Sequence, residues 1–296
     1  MLSQLTKPSV DTLQLDILIQ KQIRIDVLRL DLIHPTISGN KWYKLQEYLK
    51  DAQQLGKSII LSFGGAFSNH IVATAAACSN LGFESIGIIR GEKPQILSVT
   101  LKDARKYGMK LFFVSREQYC RKEIPEEVWS YGPNKIYMIN EGGYGVKGMH
   151  GAARILNEFD TRKYSHICVS VGTGTTLAGL AFASAANQNL IGVSVFKNNL
   201  QLKDQVNKLT VRTNFQIIHD YHFGGYARKT GELFEFMNRW FLATKIPTDF
   251  VYTGKLFYAV HDLVKNSFFD SGSNILIVHS GGLQGNRSLP VGALIF

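Results

Sequence analysis

Short, uniformly apolar runs alternate with longer stretches of helical periodicity along most of this chain. A run without polar alternation is typical of a strand covered on both faces, as in a parallel sheet. Helical spacing between these runs predicts helices at 68–82, 96–108 and 175–188. The alternation indicates an α/β fold with a parallel sheet between layers of helices. The predicted strands lie at 58–63, 85–90, 110–115, 135–140, 166–172, 190–196 and 274–279.

The length of 296 residues and the number of predicted strands favour two α/β lobes. In open parallel sheets, ligands bind beyond the carboxyl ends of the strands. We therefore expect function in the loops that follow strands 58–63, 135–140, 166–172 and 274–279.

Composition argues against several classes of protein. No apolar run approaches the roughly 20 residues of a membrane span. Residues 1–18 lack the features of a signal peptide, so we expect a cytoplasmic protein without a membrane partner. The net charge of +10 is spread along the chain rather than gathered in a run, which argues against nucleic acid. The spacing of Cys78, Cys120 and Cys168 does not suit a metal site, and none is expected.

The segment VSVGTGTTLAG, residues 169–179, carries glycines and threonines where a predicted strand turns into a helix. Glycines let a ligand approach the backbone, and free N–H groups at a helix start bind anions. The turn therefore indicates a phosphate site, with a threonine-capped structural turn as the alternative. The dinucleotide fingerprint is not met, because the third glycine is displaced.

Three further glycine-rich loops follow predicted strands: FGGAFSNHIVA at 63–73, INEGGYGVKGMHG at 139–151 and HSGGLQGN at 279–286. Each alone could be a structural turn, since Ser68 and Asn69, for example, are ordinary helix N-caps. Together, the loops exceed what a scaffold needs. They predict the walls of one site for a small anionic ligand.

Two lysines, Lys41 and Lys44, stand at the predicted start of a helix in SGNKWYKL, residues 38–45. They share a helix face, at an end whose partial positive charge disfavours bases. Desolvation there would lower the pKa of an amine, and a neutral amine is what Schiff-base chemistry requires. The second amine could pair with a phosphate. Two solvated surface lysines are the alternative.

The ordered set SGNKWYKL, SFGGAFSNH, EGGYGVKGMHG, VGTGTTLAG, VYTGK and HSGG resembles the 1-aminocyclopropane-1-carboxylate deaminase / D-cysteine desulfhydrase family. The resemblance implies a pyridoxal-phosphate enzyme with the two-lobed parallel-sheet architecture of fold type II, the tryptophan synthase β-like fold. It implies a large cofactor domain of residues 1–44 and 156–296, a small domain of residues 45–155 inserted between them, and a homodimer. The cofactor would lie in the cleft.

The resemblance also implies which residues hold the cofactor. Lys41 corresponds to the lysine that forms a Schiff base with it, and Lys44 to the lysine beside its phosphate. Asn69 would bond the ring hydroxyl, and Ser280 would meet the ring nitrogen. The turn expected to bind the phosphate consists of Gly172, Thr173, Gly174, Thr175 and Thr176.

The same resemblance implies a set of groups that act on the substrate. Ser68, Asn69 and His70 would receive the carboxylate of a small amino acid, although Gln is common at the position of His70. Tyr252 and Tyr226 resemble two active-site tyrosines. With Lys41 and Ser68, they are the expected catalytic groups.

Two positions point to one branch of the family. Cyclopropane deaminases typically carry Glu after the tyrosine and Leu before the final glycine pair, whereas this chain carries Thr253 and Ser280. That pattern resembles the desulfhydrases and implies β-elimination of D-cysteine to pyruvate, sulfide and ammonia. The alternatives are ring opening of the cyclopropane amino acid, another lyase of this fold type, and a basic α/β protein that binds a nucleotide or nucleic acid.

Overall fold

Residues 5–296 are described by the structure, a computed structural model. Its strands run from the N-terminus as follows: Ser9–Thr12 (β1), Arg24–Arg29 (β2), Ile59–Gly64 (β3), Glu84–Arg90 (β4), Lys110–Val114 (β5), Ile136–Ile139 (β6), His166–Val171 (β7), Asn189–Ser194 (β8), Phe215–Ile218 (β9) and Asn274–His279 (β10). They form a six-stranded sheet in the order β1-β2-β10-β7-β8-β9 and a four-stranded sheet in the order β5-β4-β3-β6.

Helices cover both sheets. The α-helices are Asp16–Lys21 (α1), Asn40–Gln54 (α2), Asn69–Leu81 (α3), Val99–Lys106 (α4), Arg116–Cys120 (α5), Glu126–Trp129 (α6), Val146–Ala153 (α7), Thr175–Ala183 (α8), Leu202–Asn207 (α9), Gly231–Thr244 (α10) and Thr253–Lys265 (α11). Short 3-10 turns occupy Leu30–Leu32, Pro133–Lys135, Glu141–Gly143, Arg154–Glu158 and Leu283–Ser288. Within residues 5–296, no helix is both long and apolar enough to cross a membrane.

The strand pattern agrees with the sequence prediction in the middle of the six-stranded sheet and differs at both edges, where β1 and β2 on one side and the four-residue β9 on the other were not predicted. The predicted parallel strands are present, but β1 pairs with β2 in antiparallel register, Ser9 opposite Arg29. The sequence analysis missed β2 because it is not uniformly apolar. Its buried Asp26 accepts hydrogen bonds from Thr12, at 2.7 Å, and Tyr164, at 2.8 Å.

Helix α8 ends five residues earlier than the predicted 188, at Ala183. The side chain of Gln188 accepts a hydrogen bond from the amide of Ala185 at 2.9 Å and donates to the carbonyls of Thr161 and Tyr164. Because these bonds satisfy the backbone in a turn, the helix does not continue.

Helix α2 lies between the two sheets and packs on both. Tyr43 belongs to the apolar cluster of the six-stranded sheet, with Leu177 and Met149. Leu45 and Leu49 belong to a cluster beside the four-stranded sheet. The helix that carries the two lysines is therefore fixed from both sides. The exact domain bounds of the sequence analysis stay a prediction.

Candidate active site

The start of α2 is pressed against the carboxyl end of β10. Gly39 has a φ of 71°, and a Cβ at this position would overlap the carbonyl oxygen of Ser280. That same oxygen accepts a hydrogen bond from the amide of Asn40 at 3.3 Å. Only glycine allows this approach. The Ser-Gly-Asn turn thus brings the two lysines to the edge where the six-stranded sheet ends.

Both lysines lie in desolvated surroundings. Burial lowers the pKa of Lys41 to about 8, although Asp249 opposes the shift. Burial, and secondly the charge of Lys41, places the pKa of Lys44 well below its usual value. The amine of Lys44 donates to the carbonyl of Gly142 at 3.2 Å. The site therefore holds two amines poised for an anion, as the sequence pattern predicts.

Asn40 links the lysine to the phosphate-type turn. Its Oδ1 accepts a hydrogen bond from Lys41 Nζ at 2.8 Å, and its Nδ2 donates to Thr176 Oγ1, also at 2.8 Å. Asn40 is buried. The sequence analysis assigned it no role, although it stands in the same SGNK segment.

The turn from Gly172 to Thr176 begins α8 as predicted. Gly174 occupies the N-cap with φ 82°, and no described side chain caps the helix. Thr173 Oγ1 lies 3.0 Å from Thr175 Oγ1. The uncapped amides of the first turn and these hydroxyls form a cradle of donors suited to a phosphate.

The FGGAFSNH loop supplies a second set of donors at the start of α3. Ser68 is the N-cap, and its Oγ accepts from the amide of Ile71 at 3.3 Å. Asn69 faces the HSGG loop, since a Cβ on Gly282 would lie 3.0 Å from its Nδ2. Its Oδ1 is buried without a partner among the described residues. A buried amide oxygen left unpaired marks a place for a ligand group.

The imidazole of His70 is buried beside this loop. Its Nε2 lies 2.9 Å from Ser62 Oγ, and the Ser62 hydroxyl donates to the carbonyl of Ile139 at 2.8 Å. Nε2 therefore carries the proton, and Nδ1 is an acceptor with no partner within residues 5–296. Burial, with the charges of Lys41 and Lys44, lowers the pKa of His70 to about 3. The ring is neutral near pH 7.

The two predicted tyrosines meet across the site. Tyr252 lies against the glycine turn, because a Cβ on Gly172 would be 3.2 Å from its Cε1. Lys41 Nζ is 5.8 Å from the centre of the Tyr252 ring. The hydroxyl of Tyr252 lies 3.4 Å from that of Tyr226. Burial, and then the neighbouring Tyr226, raises the pKa of Tyr252 well above its usual value.

Asp249 organises the turn that presents Tyr252, and the sequence analysis missed it. Its carboxylate accepts the amides of Val251, Tyr252 and Thr253 at 2.9 to 3.0 Å, and the Thr253 hydroxyl at 2.8 Å. Burial raises its pKa, which these hydrogen bonds oppose. An Asp whose carboxylate accepts the amide two residues on, here Val251, forms an Asx-turn, and Asp at a turn is a signal that could have revealed it.

Ser280 stands at the carboxyl end of β10, where the sequence pattern places it. Its Oγ lies 3.3 Å from Ser170 Oγ on β7, and the residue is buried. Contacts among these residues bring them to one region between the two sheets, here called the cleft, and Ser68 adjoins it as the N-cap beside Asn69. Loops from the four-stranded sheet form one wall, and the ends of β7 and β10 with α11 form the other.

The profile of a family described as pyridoxal-phosphate dependent enzyme matches residues 19–281. The chain belongs to this family. The match confirms the predicted enzyme class, cofactor and fold.

Individual relatives of this pyridoxal-phosphate enzyme carry the names of the family that the sequence resembles. A Pyrococcus horikoshii protein named as a candidate 1-aminocyclopropane-1-carboxylate deaminase is 33% identical over 291 residues, covering 90% of this chain and 87% of the relative. An Arabidopsis thaliana mitochondrial protein named bifunctional D-cysteine desulfhydrase/1-aminocyclopropane-1-carboxylate deaminase is 29% identical, covering 88% and 72%. A crystal structure of an ACC deaminase homologue superimposes with a TM-score of 0.82 at 28% identity, covering 95% and 91%.

The residues of the cleft fit pyridoxal phosphate. Lys41 offers an amine of lowered pKa, and the start of α8 offers uncapped amides. Asn69, whose Oδ1 has no partner among the described residues, lies beside Gly282 of the HSGG loop. Within residues 5–296, neither Lys41 nor Lys44 has a carboxylate in ion-pair contact, which favours an anionic group. The individual role of each residue remains a prediction from the resemblance.

Proposed function

We propose that this pyridoxal-phosphate enzyme is a D-cysteine desulfhydrase, which converts D-cysteine and water to pyruvate, hydrogen sulfide and ammonia. The observation that carries the proposal is Thr253, at the position where cyclopropane deaminases typically have Glu. Its hydroxyl and amide are both bonded to Asp249. The site therefore lacks that carboxylate, and the neighbouring strand ends offer the hydroxyls of Ser170 and Ser280 instead.

Three groups of the chain support an elimination. When bound, the cofactor supplies an electron sink for the substrate α-carbon. Lys41, with its pKa near 8, accepts the α-proton in its neutral form. Tyr252, whose raised pKa keeps the phenol protonated, donates a proton to the departing thiolate. The start of α3, with Ser68 as its cap, orients the substrate carboxylate.

Ring opening of 1-aminocyclopropane-1-carboxylate is the second candidate. The Pyrococcus relative carries that name, and the plant relative carries both. Thr253 and Ser280 favour the desulfhydrase over this second candidate, and assays with both substrates decide between them.

A substrate comparison tests the proposal. Purified enzyme with cofactor is assayed with D-cysteine, L-cysteine and 1-aminocyclopropane-1-carboxylate, and sulfide, pyruvate and 2-oxobutyrate are measured. We expect equal amounts of sulfide and pyruvate, with the highest kcat/KM for D-cysteine. Release of 2-oxobutyrate from 1-aminocyclopropane-1-carboxylate, with no release of sulfide from either enantiomer of cysteine, would overturn the choice. Lys41→Ala should abolish turnover and the Schiff-base absorbance, whereas Lys50→Ala, an exposed lysine on the same helix, should change neither.

A homodimer accompanies the proposal and rests on the resemblance alone. Light scattering of the purified protein is the direct measurement.

A further inference from the structure

Lys255 is a buried cation that the proposed reaction does not use. Its side chain is fully enclosed, with 0% of the residue exposed. Its amine donates to the carbonyl oxygens of His222 at 2.8 Å, Gly225 at 2.7 Å and Val195 at 3.5 Å. An ammonium group has three donors, and here each one faces a backbone carbonyl. Within residues 5–296, no carboxylate forms an ion pair with it.

The three carbonyls join two segments that are distant in sequence. Val195 follows β8 directly, and its amide bonds the end of β7 at Val171. His222 and Gly225 belong to the loop that leads to Tyr226. Lys255 therefore ties this loop to the end of the six-stranded sheet.

The loop adopts a backbone that needs such a tie. Phe223, Gly224, Gly225 and Ala227 all have positive φ, at 49°, 85°, 121° and 54°. Non-glycine residues rarely hold this conformation unless the surroundings fix it. The amine of Lys255 is the side-chain group that fixes the carbonyls within this stretch.

The loop delivers Tyr226 to the cleft. Its ring stacks on Phe196, with centroids 5.3 Å apart and planes at 16°, and its hydroxyl lies 3.4 Å from that of Tyr252. Tyr252 is the N-cap of α11, and Lys255 lies in the first turn of the same helix. The start of α11 therefore carries Tyr252 itself, and through Lys255 it also contacts the loop that carries Tyr226.

We propose that Lys255 is a positioning residue, which holds the 222–226 loop so that the hydroxyl of Tyr226 meets that of Tyr252 over the cofactor cleft. The inference rests on the proposed function for the part that concerns catalysis. The hydrogen bonds from the Lys255 amine to the loop are argued from geometry alone, and their effect on the loop can be measured whether or not the enzyme is active.

Lys255→Met tests the tie first, since methionine fills the space without donors. Native-state hydrogen exchange of the wild-type and variant enzymes, both with cofactor, is compared at amides 223–227. We expect these amides to exchange about tenfold faster in the variant, and those of β3 and β7 to be unchanged. Unchanged exchange in the loop would overturn the proposal. Lys265→Met, an exposed lysine on the same helix, is the matched control.

A double-mutant cycle then tests whether the lysine acts through Tyr226. With the best substrate found above, Lys255→Met and Tyr226→Phe should each lower kcat by about 10- to 100-fold with little change in KM. The double variant should be no slower than the slower single variant, because both remove the same positioned hydroxyl. Additive losses would show that Lys255 acts elsewhere. If Lys255→Met fails to fold, Lys255→Leu, which also lacks donors, takes its place in both experiments.

The two proposals can fail separately. Lack of turnover with every substrate would remove the proposed function, whereas the exchange measurement would still decide the tie. Turnover with sulfide release, together with an unperturbed loop in the variant, would remove the inference about Lys255 alone.

Discussion

The amines of Lys41 and Lys44 lie within one turn of α2, and neither has an ion-pair partner within the described residues. Protonating two desolvated amines at the positive end of a helix is unfavourable for the free protein. The same arrangement favours a neutral amine at Lys41 and an anion close to Lys44. The electrostatic cost in the free chain is thus the property that suits the site to its cofactor.

This cost predicts how stability depends on pH. The pKa of Lys41 falls from 10.5 to about 8 on folding, so below pH 8 the folded state carries the full penalty. Between about pH 8 and 10.5 the unfolded state binds more protons, and wild-type stability gains with rising pH. Cofactor-free Lys41→Met should therefore be more stable than wild type at pH 7, by about 3 kcal/mol. The difference should shrink through that window.

Urea unfolding from pH 7 to 10.5 measures this difference. Lys50→Met provides the control, because Lys50 is exposed on the same helix and should show no such trend. A stability difference that is constant with pH would contradict the explanation.

At the scale of elements, the site depends on how strands turn into helices. The turn before α8 is closed by Gly174 in the left-handed region, and a Cβ there would lie 2.7 Å from Cγ2 of Val206 on α9. Asp249 performs the corresponding task before α11 by accepting three amides. The turn before α8 combines its structural role with a row of amide donors. The turn before α11 combines its structural role with Tyr252, which faces the cleft.

Gly174→Ala should disturb both properties of the first turn. Left-handed backbone and contact with Val206 should cost about 2 kcal/mol of unfolding free energy. The displaced amides should also weaken cofactor retention by about tenfold. Denaturant unfolding and cofactor dissociation by absorbance measure the two effects. Gly231→Ala is the control, because that glycine opens α10 with no neighbour near a Cβ. Equal behaviour of the two variants would contradict the role of the turn.

At the scale of the molecule, the site is assembled from both sheets. Helix α3 starts after β3 of the four-stranded sheet. Helix α8 starts after β7 of the six-stranded sheet, in which β10 also ends, and α2 packs on both sheets. A ligand that touches all of them links the two sheets and binds only the folded state. Binding of that kind stabilises the protein in proportion to the logarithm of ligand concentration.

Removal of the cofactor should therefore lower Tm, and its return should restore it. At a thousandfold excess over Kd, the expected gain is about 4 kcal/mol. Pyridoxal, which lacks the phosphate, should stabilise much less at the same concentration, because it cannot engage the turn at Gly172 to Thr176. Calorimetry with each compound measures the gain. Equal stabilisation by both compounds would show that this turn does not bind the phosphate.

Local patterns predicted most of the elements that carry the site. The uniformly apolar runs located β3 to β8 and β10 to within one or two residues, because a buried parallel strand leaves a local signature. Strand β2 was missed because the buried Asp26 interrupts its apolar pattern. Helix α8 ends earlier than predicted because the side chain of Gln188 bonds the carbonyls of Thr161 and Tyr164, which lie 27 and 24 residues away in the sequence. Such contacts have no local signature.

The sequence by itself determined the α/β alternation, the glycine loops at strand ends and the pair Lys41 and Lys44, because these features depend on periodicity and on neighbours a few residues apart. The pyridoxal-phosphate family followed from the resemblance of the ordered motifs to known proteins. Only the tertiary structure showed the hydrogen bonds from Asn40 to Thr176, from the amide of Tyr252 to Asp249, and from Lys255 to the loop that carries Tyr226. The reason is physical: these partners lie on different elements, and the packing of the two sheets alone fixes the distances between them.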